Sequence, residues 1–326
     1  MDFIIGNSGV LSDFKKSKET ERISHAYIIE GAEGSGRLTL ARAISCTLVC
    51  NSDAPCFNCN ACRKIMAGEH QDIREIIHRD KATVIKIDSI REIIKEAYIK
   101  PAECDRKIFI IENAQQMGVP AQNALLQIFE EPPKNVTFFL LTTNRNLLLS
   151  TLKSRAVTIK TEKLSDEVIK SELEKRFPEH SSLFEDAVLL ADGALGPAIR
   201  FLEDEGSREA VEKVKEYFHA LTKYTSFAKL SAILSPTASD RAKLFVLMTY
   251  FVPALRDIIA RRSGYEGKNM FFSNEEELRI LADRLSVEKL LSAYDKVNEV
   301  IRDSGKINII SAVSEINVTL CDDFEG

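Results

Sequence analysis

Four cysteines, Cys50, Cys56, Cys59 and Cys62, fall within 13 residues as Cys-x5-Cys-x2-Cys-x2-Cys. Four thiolates at that spacing are the donor set of a closed structural Zn2+ site, because sulfur ligands complete the tetrahedron and leave no position to exchange. Pro55, Asn58 and Asn60 supply turn chemistry between them. The rival iron–sulfur run carries its fourth cysteine further downstream with a proline after it, which is missing here. Cys46 lies one helical turn before Cys50 and reads as a reduced core cysteine, while Cys104 and Cys321 have no partner in sequence and read as inert. Only Arg63 and Lys64 flank the cluster, too little charge to grip a nucleic acid.

A second chemistry is phosphate binding. Gly31-Ala32-Glu33-Gly34-Ser35-Gly36-Arg37-Leu38-Thr39 follows an apolar run and opens a helical pattern, the context of a phosphate loop. Its glycines let the backbone approach an anion, and the helix start offers unpaired N–H groups. The pattern wants lysine at 37 and serine or threonine at 38. Arg37 keeps charge without the compact ammonium, Leu38 has no hydroxyl for Mg2+, and Thr39 is rotated about 100° around the helix. Hydrolysis is not expected from this loop. A second segment fails in the same direction: Ile108-Phe109-Ile110-Ile111 ends in Glu112-Asn113, where a hydrolase would place Asp then Glu, and an amide cannot act as a base. Whether nucleotide binds without being hydrolysed stays open.

A third candidate is Arg155, in Ser154-Arg155-Ala156, after the polar tip Thr142-Thr143-Asn144. A guanidinium aimed at a neighbour's γ-phosphate stabilises charge in phosphoryl transfer. On spacing alone, a solvated arginine beside Lys153 is the plainer reading.

These residues need a scaffold. Apolar strand runs at 25–30, 107–111, 136–142 and 156–159 alternate with helical patterns at 37–49, 89–98 and 120–129, and 73–77 and 83–87 look extended. Pro132-Pro133 must end the third helix. Such alternation implies parallel βαβ units. After Lys163 the pattern is helical, in short pieces with a turn at Gly193 and then at period 3.6 from 207 to 321. The 326 residues suggest two or three domains at roughly 150 residues each. With 44% hydrophobic and 29% charged residues, the chain is an ordinary globular one. Net charge is −5; residues 1–170 carry 24 basic and 22 acidic side chains, and residues 171–326 carry 20 and 27. Neither half is a basic nucleic-acid surface. There is no apolar run of about 18 residues and no basic-then-apolar start, so no membrane partner and a cytoplasmic location are expected.

The order of His25-Ala26-Tyr27, the glycine loop, the four cysteines, Asn123-Ala124-Leu125-Leu126, Glu130-Glu131-Pro132-Pro133, Thr142-Thr143-Asn144 and Ser154-Arg155 resembles the bacterial DNA polymerase III clamp-loader subunits of the AAA+ superfamily. The resemblance covers residues 1–205; beyond it only length and helical texture agree. It implies an α/β, RecA-like parallel-sheet domain with a zinc knuckle over 1–164, a small helical lid over 165–207 and an all-α collar over 208–326. It implies a degenerate nucleotide site at Gly31, Gly34, Gly36, Arg37, Thr39, Glu112, Asn113, Thr143 and Asn144. It also implies that Ser154 and Arg155 form an arginine finger acting in trans. The family's cysteine after that arginine is Ala156 here, and the motor's second sensor arginine is missing near Gly196, with Arg200 one turn later. The lost loop chemistry places the chain with the non-hydrolysing delta-prime type. Its expected partners are gamma or tau and delta subunits in a pentameric ring, and, through that ring, the sliding clamp and primed DNA. The polymerase activity belongs to the holoenzyme. Two alternatives stand beside this: an ATP-hydrolysing gamma or tau motor, and a zinc-dependent nucleic-acid-binding module.

Overall fold

The computed structural model describes residues 4–52, 55–77, 84–223, 226–238, 240–302 and 308–321. The chain divides into two compact units, 1–164 and 165–326.

In the first unit the order is α1 (Ser8–Glu19), β1 (Ala26–Glu30), α2 (Arg37–Val49), α3 (Asn60–Ala67), β2 (Ile73–Ile76), α4 (Ile87–Ala97), β3 (Lys107–Ile111), α5 (Val119–Glu130), β4 (Val136–Thr142), α6 (Ser150–Lys153) and β5 (Val157–Lys160). The strands form one parallel sheet in the order β2-β3-β4-β1-β5. Every residue of β4 is buried, as a central parallel strand covered on both faces requires. Period-two alternation sends its side chains to two separate cores. Phe138 and Leu140 join Ile28, Phe109 and the apolar faces of α4 and α5. Phe139 and Leu141 join Tyr27, Ile29 and Ile110 against α1, α2 and α3. The loop after β1 and the tips of β3 and β4 therefore meet at the carboxyl end of the sheet, where ligands of such sheets bind.

The expected strands and helices of this half are present, with shifted ends. Three helices, α1, α3 and the short α6, are additions to the sequence reading. In α1, Phe14 is buried against Tyr27, ring centroids 4.8 Å apart. In α3, Asn60 opens a helix rather than a turn, with Cys59 as its N-cap. The extended reading over 83–87 starts at Thr83, outside the described residues; Ile85 makes a single bridge to Met117 and Ile87 begins α4.

Asp72 anchors the edge of this unit. It is buried, and its carboxylate accepts the backbone N–H of Ala102 (2.7 Å), Glu103 (2.6 Å) and Cys104 (3.1 Å). Burial alone would raise its pKa, but these donors win and hold it below the ordinary carboxylate value. An acid depressed in the fold contributes stability that is present above its unfolded pKa, about 3.9, and is lost as pH falls through the folded value. Urea unfolding should therefore show stability dropping as pH is lowered below about 4. Asp72→Asn should blunt that drop and cost about 1–3 kcal/mol at neutral pH, since one amide oxygen cannot serve three donors. An unchanged pH profile in the variant would assign the acid sensitivity elsewhere.

The second unit is helical among its described residues: α7 (Asp166–Arg176), α8 (Phe184–Ala191), α9 (Leu195–Glu203), α10 (Glu205–Thr222), α11 (Phe227–Ala238), α12 (Arg241–Arg262), α13 (Glu275–Arg284), α14 (Val287–Arg302) and α15 (Ile309–Cys321). Tyr217, Phe218, Phe251 and Phe272 form its aromatic centre. Asp257 ties α12 to the segment before α13 by accepting the N–H groups of Met270, Phe271 and Phe272. No described helix is long and apolar enough to cross a membrane.

Candidate functional site

The glycine loop bridges β1 and α2. Gly34 and Gly36 have φ of 76° and 78°, left-handed values that β-carbons disfavour, and Gly36 is the N-cap of α2. Gly31 is needed for space: a Cβ there would lie 2.0 Å from the Thr161 hydroxyl and 2.5 Å from that of Ser35. Those two hydroxyls are hydrogen-bonded at 3.1 Å, so the loop tip is tied to the residue following β5.

Arg37 does not reach outward. It is buried, and its Nη1 donates to the carbonyl of Gly31 at 3.0 Å. Burial pushes its pKa down, while Glu112 and Glu33 pull the other way. The guanidinium is thus held by the loop's own carbonyl and two nearby acids. Leu38 packs on the α1–α2–α3 core, and Thr39 is exposed. Neither places a hydroxyl where Mg2+ would sit in a working loop. Glu112 and Asn113 close β3, with Asn113 in the left-handed region at φ 52°. Thr143 is exposed after β4, and the Asn144 side-chain oxygen accepts the N–H of Asn146. The structure thus gathers Gly31, Gly34, Gly36, Arg37, Glu112, Asn113, Thr143 and Asn144 at one end of the sheet. Its one lysine-like cation is turned inward.

The four cysteines converge. Cys50 caps the end of α2, where Lys18 donates to the carbonyls of Thr47 and Cys50. Cys62 lies inside α3. Their sulfurs, with those of Cys56 and Cys59, all lie within 4.8 Å of one another. Cys50–Cys56 is 3.6 Å and Cys56–Cys62 is 4.0 Å. A tetrahedron of about 2.3 Å zinc–sulfur bonds has edges of about 3.8 Å, so the spacing fits. Backbone N–H groups of Cys59 and Cys62 point at the sulfurs of Cys56 and Cys59, as thiolates prefer. Burial opposes ionisation of Cys50, but Ser52 and backbone donors pull it down to about 6, and backbone donors also lower exposed Cys56. Burial pushes Cys62 up. Cys46 stays outside the set: it is buried, its sulfur faces the carbonyl of Cys62, and burial raises it to about 12.

Cys104, read from sequence as partnerless, lies with His70 and Asp72 within 4.8 Å. Its sulfur is 3.5 Å from Asp72 Oδ2 and 2.9 Å from the Arg106 carbonyl, and Asp72 is already filled by backbone donors.

Arg155 follows α6 and is partly exposed, but it is not simply solvated. Nη2 donates to Glu130 at 3.0 Å and Nη1 to the Thr151 carbonyl at 3.2 Å. The Ser154 hydroxyl donates to the same carbonyl at 2.9 Å. Glu130 was not read as a site residue from the sequence, although Glu130-Glu131-Pro132-Pro133 marks the helix end that presents it.

This sheet, with its glycine loop and its acid and amide at adjoining strand tips, is a parallel α/β domain with a phosphate-loop-like turn at its carboxyl end. A gamma subunit-related protein of Thermotoga maritima has the same fold, with a TM-score of 0.51 and 19% identity over 95% of this chain and 98% of that one. Residues 6–165 match the family described as DNA polymerase III, delta subunit. The gamma subunit of DNA polymerase III from Buchnera aphidicola is 30% identical over 208 residues, 61% of this chain and 56% of that protein. The delta' subunit from Bacillus subtilis is 32% identical over 160 residues, 47% of this chain and 48% of that protein. The chain therefore spans about half the length of these relatives. Across this N-terminal region the chain is similar to subunits of DNA polymerase III.

Proposed function

We propose that the chain is the delta-prime-type subunit of a clamp loader: an AAA+ subunit that does not hydrolyse ATP and lends Arg155 to a neighbour's ATP site. The observation that carries this is Arg37. Its guanidinium is bound to the Gly31 carbonyl while Leu38, half-buried, packs against the core, so the loop offers no ammonium and no Mg2+ hydroxyl to a triphosphate. Asn113 supports it, since the tip of β3 carries no base in the water-activating place. The degenerate site would use Gly31, Gly34, Gly36, Arg37, Thr39, Glu112, Asn113, Thr143 and Asn144 as scaffold, with any ATP or ADP held only passively. Cys50, Cys56, Cys59 and Cys62 would hold one structural Zn2+. Residues 165–207 would act as a lid and 208–326 as the collar that holds the subunit beside gamma or tau and delta subunits in a pentameric ring. That ring would place the sliding clamp on primed DNA.

A motor subunit of gamma or tau type is the second reading, favoured by relatives bearing those names. Steady-state ATPase assays of the purified chain separate the two. Turnover at background level is expected, and Arg37→Lys alone should not create activity, because Leu38 and Asn113 remain. Turnover abolished by Arg37→Ala would establish the motor instead.

A further inference from the structure

We propose that Glu130 is the resting counter-ion of Arg155, keeping the guanidinium on its own domain until a neighbour's triphosphate displaces it. This rests on the trans-arginine reading above. Glu130 is the last residue of α5, ahead of Pro132-Pro133. An acid is badly placed there for the helix itself, because the carbonyl end of a helix carries partial negative charge. Its ion-pair partner is Arg155, 25 residues away in sequence, at 3.0 Å. The Thr151 carbonyl holds the other terminal nitrogen. The guanidinium is therefore oriented by three oxygens, the third being the Ser154 hydroxyl at 3.5 Å, that together bear one formal charge. The Arg155 side chain is partly exposed, at 37%, and that of Glu130 well exposed, at 56%. An exposed pair is weak, so it exchanges readily. A triphosphate brings several charges and more acceptor oxygens, and bidentate contact with phosphate suits arginine better than a single carboxylate oxygen. The pair is strong enough to orient and weak enough to release.

The variant that tests this is Glu130→Gln, which keeps shape and removes charge. In the purified chain, phenylglyoxal labelling of Arg155, located by peptide mass spectrometry, should speed up about two- to fivefold. In a reconstituted loader at low ionic strength, ATP turnover should rise by a similar factor. The gain should shrink at high salt, where the pair is screened, and vanish in an Arg155→Ala background. A gain that persists without Arg155 overturns the proposal. So does unchanged turnover, or a loss as deep as that of Arg155→Ala, when Arg155→Ala itself lowers turnover. If Arg155→Ala has no effect on the loader, the trans reading fails by itself, and the labelling rate still decides whether Glu130 restrains the guanidinium.

Discussion

Arg155→Ala is expected to leave the chain folded and assembled while lowering ATP turnover at the neighbouring site it is proposed to serve by about 10³-fold or more. The asymmetry follows from where the side chain sits. Within its own domain it makes one exposed ion pair with Glu130, one bond to the Thr151 carbonyl and a long one to the Ser154 hydroxyl. An exposed pair of this kind contributes about 0.2–1 kcal/mol, too little to endanger the sheet. At a partner's γ-phosphate the same group would meet charge that grows during transfer, in a site from which water is excluded, and there a fixed cation acts most strongly. Total loader turnover should fall at least by the share of that one site. Arg155→Lys should recover only part of the loss, since an ammonium is a point charge without the planar fork. Thermal unfolding and size-exclusion of the reconstituted complex would confirm that folding and assembly survive. An Arg155→Ala loader with full turnover would remove the trans role.

Most of the first unit was readable from the chain because its signals are long and redundant. β4 is seven apolar or β-branched residues in a row, and α5 is bounded by Pro120 and Pro132. The glycine loop announced itself by spacing, and the failure of its chemistry was visible in Arg37, Leu38 and Asn113. Several of the missing pieces depend on contacts that only the folded backbone brings together. That Arg37 turns back on Gly31 needs the packing of α2. That Glu130 meets Arg155 needs two helix ends brought together by β4. Asp72 looked like any surface acid until three N–H groups from 102–104 converged on it. α1 was overlooked because its single buried ring, Phe14, leaves little periodicity to detect. Asn60 misled because an asparagine between cysteines favours a turn in isolation, whereas Cys59 had already supplied the N-cap.

Loss of the proposed zinc should be the largest change available to stability. One zinc and no iron per chain is the expected result of elemental analysis. The four sulfurs are not a surface ornament: Cys50 and Cys62 are buried with Ile65, Ile44 and Ile110 in the core between α2, α3 and the sheet. Without a divalent cation, any thiolates in this cluster repel one another at sulfur separations of 3.6–4.0 Å. With the cation, coordination free energy becomes folding free energy, about 10–16 kcal/mol in isolated zinc-finger peptides and a fraction of that where most of the domain folds regardless. Chelation should therefore lower the unfolding midpoint and expose α3 first, seen as faster amide exchange over 60–67. Cys56→Ser is the cleanest variant, because Cys56 is exposed and its loss opens no cavity. It should release the metal and reproduce the effect of chelation. Cys46→Ala should keep one zinc per chain while losing some core packing, since its sulfur faces a carbonyl rather than the cluster. Zinc retention falls with acidity, because protons compete for the thiolates, so zinc should be lost more readily as pH drops. A chain that carries no metal, or whose stability is indifferent to Cys56→Ser, would leave the four cysteines as a packed cluster of thiols.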